Sequence, residues 1–171
     1  MKIGFIGLGT MGSSMAANLQ KAQHLLVVND VRKEAAEAHI GAGAEWADTP
    51  RAVAERCDVV FTSLPGPPEV EAVVFGEDGL LQGARPGMAY FDLSTNSQAL
   101  MRRVHAAMAE RGAQAFDAPV PGGPNGAQTG FHGGGVAWIE PKLRASTSLS
   151  HPSAPPGDSQ CSTAMMAVRS S

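Results

Sequence analysis

The chain opens on a short apolar run, residues 2–7, that ends in glycine, the pattern of a buried parallel strand. Behind it Met11, Met15, Leu19 and Ala22 recur at helical spacing, which predicts a helix over 10–22. The same change of period repeats along the chain. Strands are predicted over 25–29, 57–64, 88–92 and 114–117, and helices over 32–40, 49–56, 69–75 and 97–111. Thr49 before Pro50 is a helix start signal, and Pro65-Gly66-Pro67-Pro68 breaks the chain after the third strand. Leu100, Val104 and Met108 share one face of the last helix, and residues 76–86 read as a loop. Strands alternating with helices predict an α/β fold: a doubly wound, mainly parallel sheet covered on both faces.

After residue 130 the pattern stops. Residues 131–171 are rich in glycine, proline and serine and hold no sustained period. An edge strand over 136–139 is the one element they suggest, and from 141 onward none is predicted. The organisation expected is therefore one domain over 1–130 and an irregular tail over 131–171. Composition agrees with an ordinary globular protein, at 43% hydrophobic and 17% charged residues. A net charge of −3 gives no electrostatic reason for nucleic acid or an anionic membrane as partner. No apolar run approaches the ~20 residues of a membrane span, so a cytoplasmic location is expected. Cys57 and Cys161 lie far apart without ligand spacing; neither a disulfide framework nor a metal site is expected, and Cys57 reads as a small buried hydrophobe.

Candidate chemistry gathers at the first strand–helix junction. Gly7-Leu8-Gly9-Thr10-Met11-Gly12 is a G-x-G-x-x-G element, weak by itself but set here directly after a strand and opening a helix. Gly7 permits a tight turn, Gly9 lets backbone approach a pyrophosphate, and Gly12 allows close packing of helix on strand. Free N–H groups at the helix start then face the phosphates. This is the dinucleotide-binding fingerprint of a Rossmann domain. About twenty residues on, Asn29 and Asp30 end the second strand, where a carboxylate can accept from the adenosine ribose hydroxyls and repel a 2′-phosphate. NAD is therefore the expected cofactor. Arg32 keeps NADP possible, because a guanidinium there could reach a phosphate. Asp30 could instead only start a turn or cap the next helix.

Four segments in order resemble the 3-hydroxyisobutyrate dehydrogenase (β-hydroxyacid dehydrogenase) family over about residues 1–130. They are the glycine element with Met15-Ala16-Ala17-Asn18-Leu19, then Leu64-Pro65, then Phe91-Asp92-Leu93-Ser94-Thr95, then Asp117-Ala118-Pro119-Val120-Pro121-Gly122-Gly123. The resemblance implies NAD(P)-dependent hydride transfer between a nicotinamide and a short 3-hydroxyacid or semialdehyde. It also implies that Leu64 and Pro65 lie beside the cofactor, that Thr95 contacts its nicotinamide portion, and that Ser94, Gly122 and Gly123 bind the substrate. On the residues alone, Ser94-Thr95 could simply cap a helix and Gly122-Gly123 could be a plain turn. Two departures stand out. Gln23 occupies a turn position where the family has glycine, which predicts backbone strain, and Pro121 replaces a serine before the glycine pair.

The family's proton-transferring lysine, on a helix of an all-helical second domain, has no counterpart in the sequence. Lys142 follows Pro141 in a loop-like setting and reads as a solvated surface residue, and His132 and His151 as loop residues. The catalytic residue is thus unassigned. A frameshift after about residue 130, leaving the domain truncated, is the expectation that fits the change of character. The family forms homo-oligomers through its helical domain, so the same assembly is doubtful for this chain, and an exposed apolar face is expected instead. Two readings stay open: an oxidoreductase of the 3-hydroxyacid dehydrogenase type, and a non-catalytic NAD(P)-binding module.

Overall fold

The computed structural model describes residues 2–118, and they form a sheet of six parallel strands in the order β3-β2-β1-β4-β5-β6. The strands are β1 Lys2–Ile6, β2 Leu25–Asn29, β3 Glu45–Trp46, β4 Val59–Thr62, β5 Ala89–Asp92 and β6 Gln114–Asp117. Helix α1, Thr10–Lys21, joins β1 to β2; a 3₁₀ turn over Lys33–Ala36 leads into α2, Glu37–Gly41; α3 is Pro50–Arg56. Helices α4, Pro67–Phe75, and α5, Leu80–Gly83, join β4 to β5, and α6, Gln98–Glu110, joins β5 to β6. The doubly wound fold is the one the alternating pattern predicts.

Why the sheet is buried on both faces follows from the period-two alternation of its strands. In β1, Ile3 and Phe5 face one core with Met15 and Leu19 of α1, while Ile6 joins the other core with Val53 of α3 and Val104 and Met108 of α6. Register carries one aromatic row across the first face: Phe5 pairs with Phe61, Phe61 with Phe91, and Phe91 with Phe116. Their ring centroids are 6.2, 5.2 and 4.7 Å apart, all stacked. On the opposite face α3 lies so close to β1 that a Cβ on Gly4 would stand 2.3 Å from Val53 Cγ1.

Cap chemistry closes α3 where expected, while α6 is capped by Ser97 and not by Ser94 or Thr95. Thr49 Oγ1 accepts from Ala52 N at 3.1 Å, with Pro50 in the first turn, and Ser97 Oγ accepts from Leu100 N at 3.2 Å. Gln23 adopts φ +63°, the only described residue other than glycine with a positive φ, as its turn position predicts. Cys57 is fully buried, and desolvation pushes its thiol up to about 12, which makes it an inert core residue. Three expectations are corrected. The helix expected over 32–40 is split into a 3₁₀ turn and a short α-helix; residues 76–86 contain α5; and β3 has no counterpart among the predicted strands. The expected tail, with the edge strand over 136–139, lies outside the described residues. No helix among the described residues is long and apolar enough to cross a membrane.

Candidate functional site

With β1 in the middle of the sheet, its neighbours β2 and β4 are reached by crossovers on opposite faces, and the chain opens a crevice at their carboxyl ends. The β1–α1 turn lies in that crevice. Gly7 takes φ +90° while its N–H continues the sheet to the Asn29 carbonyl at 3.0 Å. A Cβ on Gly7 would stand 2.3 Å from the Ser63 carbonyl oxygen, so the turn also seats the loop after β4. Gly12 is needed for packing: its Cβ would fall 1.9 Å from the Gly7 carbonyl oxygen. Gly9 is different. It is exposed, and a Cβ there would meet nothing within 4 Å.

That open side is where the α1 N-terminus points its donors. Gly9 is the N-cap and has no side chain to accept from the first turn, and no acidic residue lies in that turn. Thr10 is exposed and Met11 half-buried at the same corner, and Leu8 is buried beneath it. The N–H groups of the first helical turn and the positive end of the helix dipole therefore face open space. The residues present fit a dinucleotide pyrophosphate: a helix start open at Gly9, with directed donors and no acidic residue in the first helical turn.

Asp30 is tied into this corner. Its Oδ2 accepts from Leu8 N at 2.7 Å, bracing the glycine turn, and its Oδ1 accepts from Arg32 N at 2.9 Å, closing a local turn. The turn expected at Asp30 is thus present in its geometry. A carboxylate can accept about four hydrogen bonds, so about two acceptor positions remain for a ligand. Val31, fully exposed, and the exposed Arg32 follow it. Asn29 beside it is buried, and its Nδ2 donates to the Ala47 carbonyl at 2.8 Å.

On the other side of β1, the loops after β4 and β5 form a second wall. Leu64 N donates to Ser94 Oγ at 2.9 Å, Ser94 is buried, and Pro65 and Thr95 are exposed at the rim. Beneath them lies a polar cluster that sequence reading left aside. Thr62 Oγ1 donates to Asp92 Oδ1 at 2.9 Å, Ser94 N donates to the same oxygen at 3.0 Å, and Asn96 Nδ2 donates to Oδ2. A carboxylate only accepts, so Tyr90 must donate its hydroxyl to Thr62 Oγ1, 2.9 Å away. Burial first, and the Asp92 charge second, hold the Tyr90 phenol well above its ordinary range, as a permanent donor requires. The signal available in sequence was the polar pair Thr62 and Asp92 at the ends of two otherwise apolar strands.

A third polar group links α1 to α2. His39 is buried, with Nδ1 2.8 Å from Gln20 Oε1 and Nε2 2.9 Å from Ser13 Oγ. Because Oε1 can only accept, Nδ1 carries the hydrogen and Nε2 accepts from Ser13. Desolvation lowers the His39 pKa and favours this neutral form. Of the substrate-side residues expected from sequence, Gly122 and Gly123 lie outside the described residues, as do Pro121, His132, Lys142 and His151. The described lysines, Lys2, Lys21 and Lys33, lie away from the β4–β5 wall: Lys2 pairs with Glu45, Lys21 is in the last turn of α1, and Lys33 sits over the Trp46 ring.

The chain is similar in sequence and fold to known proteins. An NAD-dependent L-serine dehydrogenase of Pseudomonas aeruginosa is 42% identical over 146 residues, covering 84% of this chain and 49% of the relative. The 2-hydroxy-3-oxopropionate reductase of Escherichia coli is 41% identical over 130 residues, covering 76% and 44% respectively. Among solved structures, the 3-hydroxyisobutyrate dehydrogenase of Mycobacterium tuberculosis with L-serine superposes with a TM-score of 0.67 at 36% identity, over 75% of this chain and 43% of that one. The chain thus spans about half the length of the curated relatives it matches. A family model described as the NAD binding domain of 6-phosphogluconate dehydrogenase matches residues 2–137, and the chain belongs to that family.

Proposed function

We propose that the corner formed by Gly7, Leu8, Gly9, Thr10, Met11, Gly12 and Asp30 holds NAD, and that the chain supplies the cofactor-binding half of a 3-hydroxyacid dehydrogenase. The observation that carries this reading is the open side of Gly9 at an uncapped helix start, with a carboxylate locked beside it. The first-turn N–H groups bind the pyrophosphate, and the remaining acceptor positions of Asp30 take the ribose hydroxyls. A 2′-phosphate would face that carboxylate, so NAD is favoured, with Arg32 the one nearby group that would help NADP. The adenosine side lies over β2, which leaves the other half of the dinucleotide to extend over β4 and β5, past Leu64, Pro65 and Thr95.

When bound, the cofactor accepts a hydride from, or returns it to, the carbon bearing the substrate hydroxyl. For this chain's residues the task is to orient the two partners and exclude water. The Ser94 hydroxyl, which accepts from Leu64 N, keeps its own hydrogen to donate to a short hydroxyacid or semialdehyde, and Gly122 and Gly123 complete the contact with the substrate. Substrates named for relatives, L-serine and 2-hydroxy-3-oxopropionate, share a carboxylate and an oxygen at the third carbon, and compounds of that class are the ones to assay.

A second reading is favoured by one observation. No described lysine lies at the β4–β5 wall, so the proton of the substrate hydroxyl has no acceptor of that type there. The chain would then bind NAD without turnover, since a missing general base lowers rate by about 10²–10⁴-fold. Calorimetric titration with NAD beside an absorbance assay on 3-hydroxyisobutyrate and L-serine separates the two. Binding with turnover supports the dehydrogenase, binding alone supports the module, and no binding refutes both.

A further inference from the structure

Asp92 is a fully buried carboxylate at the carboxyl end of β5. It is the hub of the second wall. From its Oδ1 one connection runs through Thr62, the last residue of β4, and a second through the N–H of Ser94, which opens the loop after β5. Its Oδ2 holds Asn96, two residues further along that loop. Ser94 passes the constraint back across the crevice, since its Oγ accepts from Leu64 N in the loop after β4. The four links make a closed circuit: β4, Asp92, the β5 loop, Ser94, and the β4 loop again. A chain of buried donors ending at Tyr90 supplies the circuit from below.

We propose that Asp92 is a positioning residue that sets Leu64-Pro65 and Ser94-Thr95 as one rigid wall for the nicotinamide half of the cofactor. The inference rests on the reading that the corner holds NAD. The physical reason is preorganisation. Both loops must be ordered to touch a ligand, and the Asp92 circuit orders them before binding, so the ligand does not have to. A buried carboxylate is costly unless its acceptors are filled, and here three donors converge on it while none of them belongs to a regular ladder. The adenosine half is held by bonds outside this circuit, those of Asp30 to Leu8 and Arg32, and meets it only where Gly7 packs on the loop after β4.

This asymmetry supplies the test. NADH and ADP-ribose share the adenosine and pyrophosphate, and only NADH carries the nicotinamide. Affinities of both are measured by calorimetry for the full chain, for Asp92→Asn, and for Asp92→Asn combined with Asn96→Asp, which exchanges the two groups facing each other at Oδ2. Asp92→Asn is expected to weaken NADH about tenfold, or about 1.4 kcal/mol, and to leave ADP-ribose within about twofold. The double variant is expected to recover NADH. A general loss of stability would weaken both ligands equally and could not be rescued by the exchange. If Asp92→Asn fails to fold, Thr62→Val removes one donor at nearly constant shape and is read in the same way. Equal losses for the two ligands, no loss for either, or a wild-type chain that binds them with the same affinity would overturn the inference. A wild-type chain that binds neither would instead overturn the cofactor reading on which it rests.

Discussion

Replacing Gln23 with glycine should stabilise this protein, and the structure contains its own control. Three helices end in the same way. The N–H two residues past the cap reaches back to the carbonyl five residues earlier: His24 to Leu19 at 3.2 Å, Ala44 to His39 at 2.9 Å, and Ala113 to Met108 at 3.0 Å. The residue between takes a left-handed conformation, at φ +63° for Gln23, +96° for Gly43 and +71° for Gly112. Only the first carries a side chain. Left-handed backbone costs a residue with a Cβ about 1–2 kcal/mol, while glycine forfeits about 0.5–1 kcal/mol through its freer unfolded chain. Gln23 is exposed, so the backbone angle dominates the change. Gln23→Gly should therefore gain about 0.5–1 kcal/mol, a rise of about 1–4 °C in melting temperature for a chain of this size. Gly43→Ala is the reciprocal experiment, because its Cβ would meet nothing within 4 Å and only the backbone angle is at stake; it should lose about 1 kcal/mol. Melts followed by circular dichroism measure both. A neutral or destabilising Gln23→Gly, with Gly43→Ala also neutral, would refute the strain argument.

The glycines of the first turn should separate stability from binding. Gly12→Ala forces a Cβ onto the Gly7 carbonyl and should cost about 1–3 kcal/mol in a melt. Gly9→Ala should leave the melt within about 0.5 kcal/mol and yet weaken NADH about ten- to a hundredfold by calorimetry. His39 makes stability depend on pH. Burial lowers its pKa below the ordinary 6.5, so in mild acid the unfolded chain takes up a proton that the folded chain refuses. Stability should accordingly fall as pH drops from about 7.5 to about 5.5, and His39→Gln should flatten that dependence in melts over the same range. Asp30→Asn removes the charge that opposes a 2′-phosphate, and should narrow the gap between NADH and NADPH affinities in competitive titrations, while giving up one of the Leu8 and Arg32 bonds, since an amide keeps a single acceptor oxygen.

Local chemistry explains which of these features could be read without coordinates. The β1–α1–β2 unit is legible because glycine spacing, the helical stripe and the acidic residue at the end of β2 all agree, and Gln23 betrays its strain by standing at a helix C-terminus. Thr49 announces its helix because a cap is a property of a few adjacent residues. β3 is illegible for the opposite reason. Glu45-Trp46 is too short for a period to show, and its place comes from pairing with Val27 and Val28 far away in sequence. α5 is similarly hidden, since Leu80–Gly83 is one turn among glycines and is fixed by packing against α3, where a Cβ on Gly83 would stand 2.4 Å from the Arg51 carbonyl oxygen. At the site, the glycine corner could be read in advance, whereas the Asp92 circuit could not. A lone acid at a strand end looks like a turn residue until Thr62, Ser94 and Asn96 are seen to converge on it. Asn29 adds a bond that its position did not announce, from its Nδ2 to the Ala47 carbonyl.

The whole functional reading depends on the cofactor lying against the start of α1. Mapping backbone amide resonances during an NADH titration tests this directly. The expected result is a saturable shift concentrated at the amides of Gly9, Thr10, Met11 and Gly12, with a second group beside Asp30, and its loss in Gly9→Ala. Shifts spread elsewhere on the domain, or none at millimolar NADH, would contradict it.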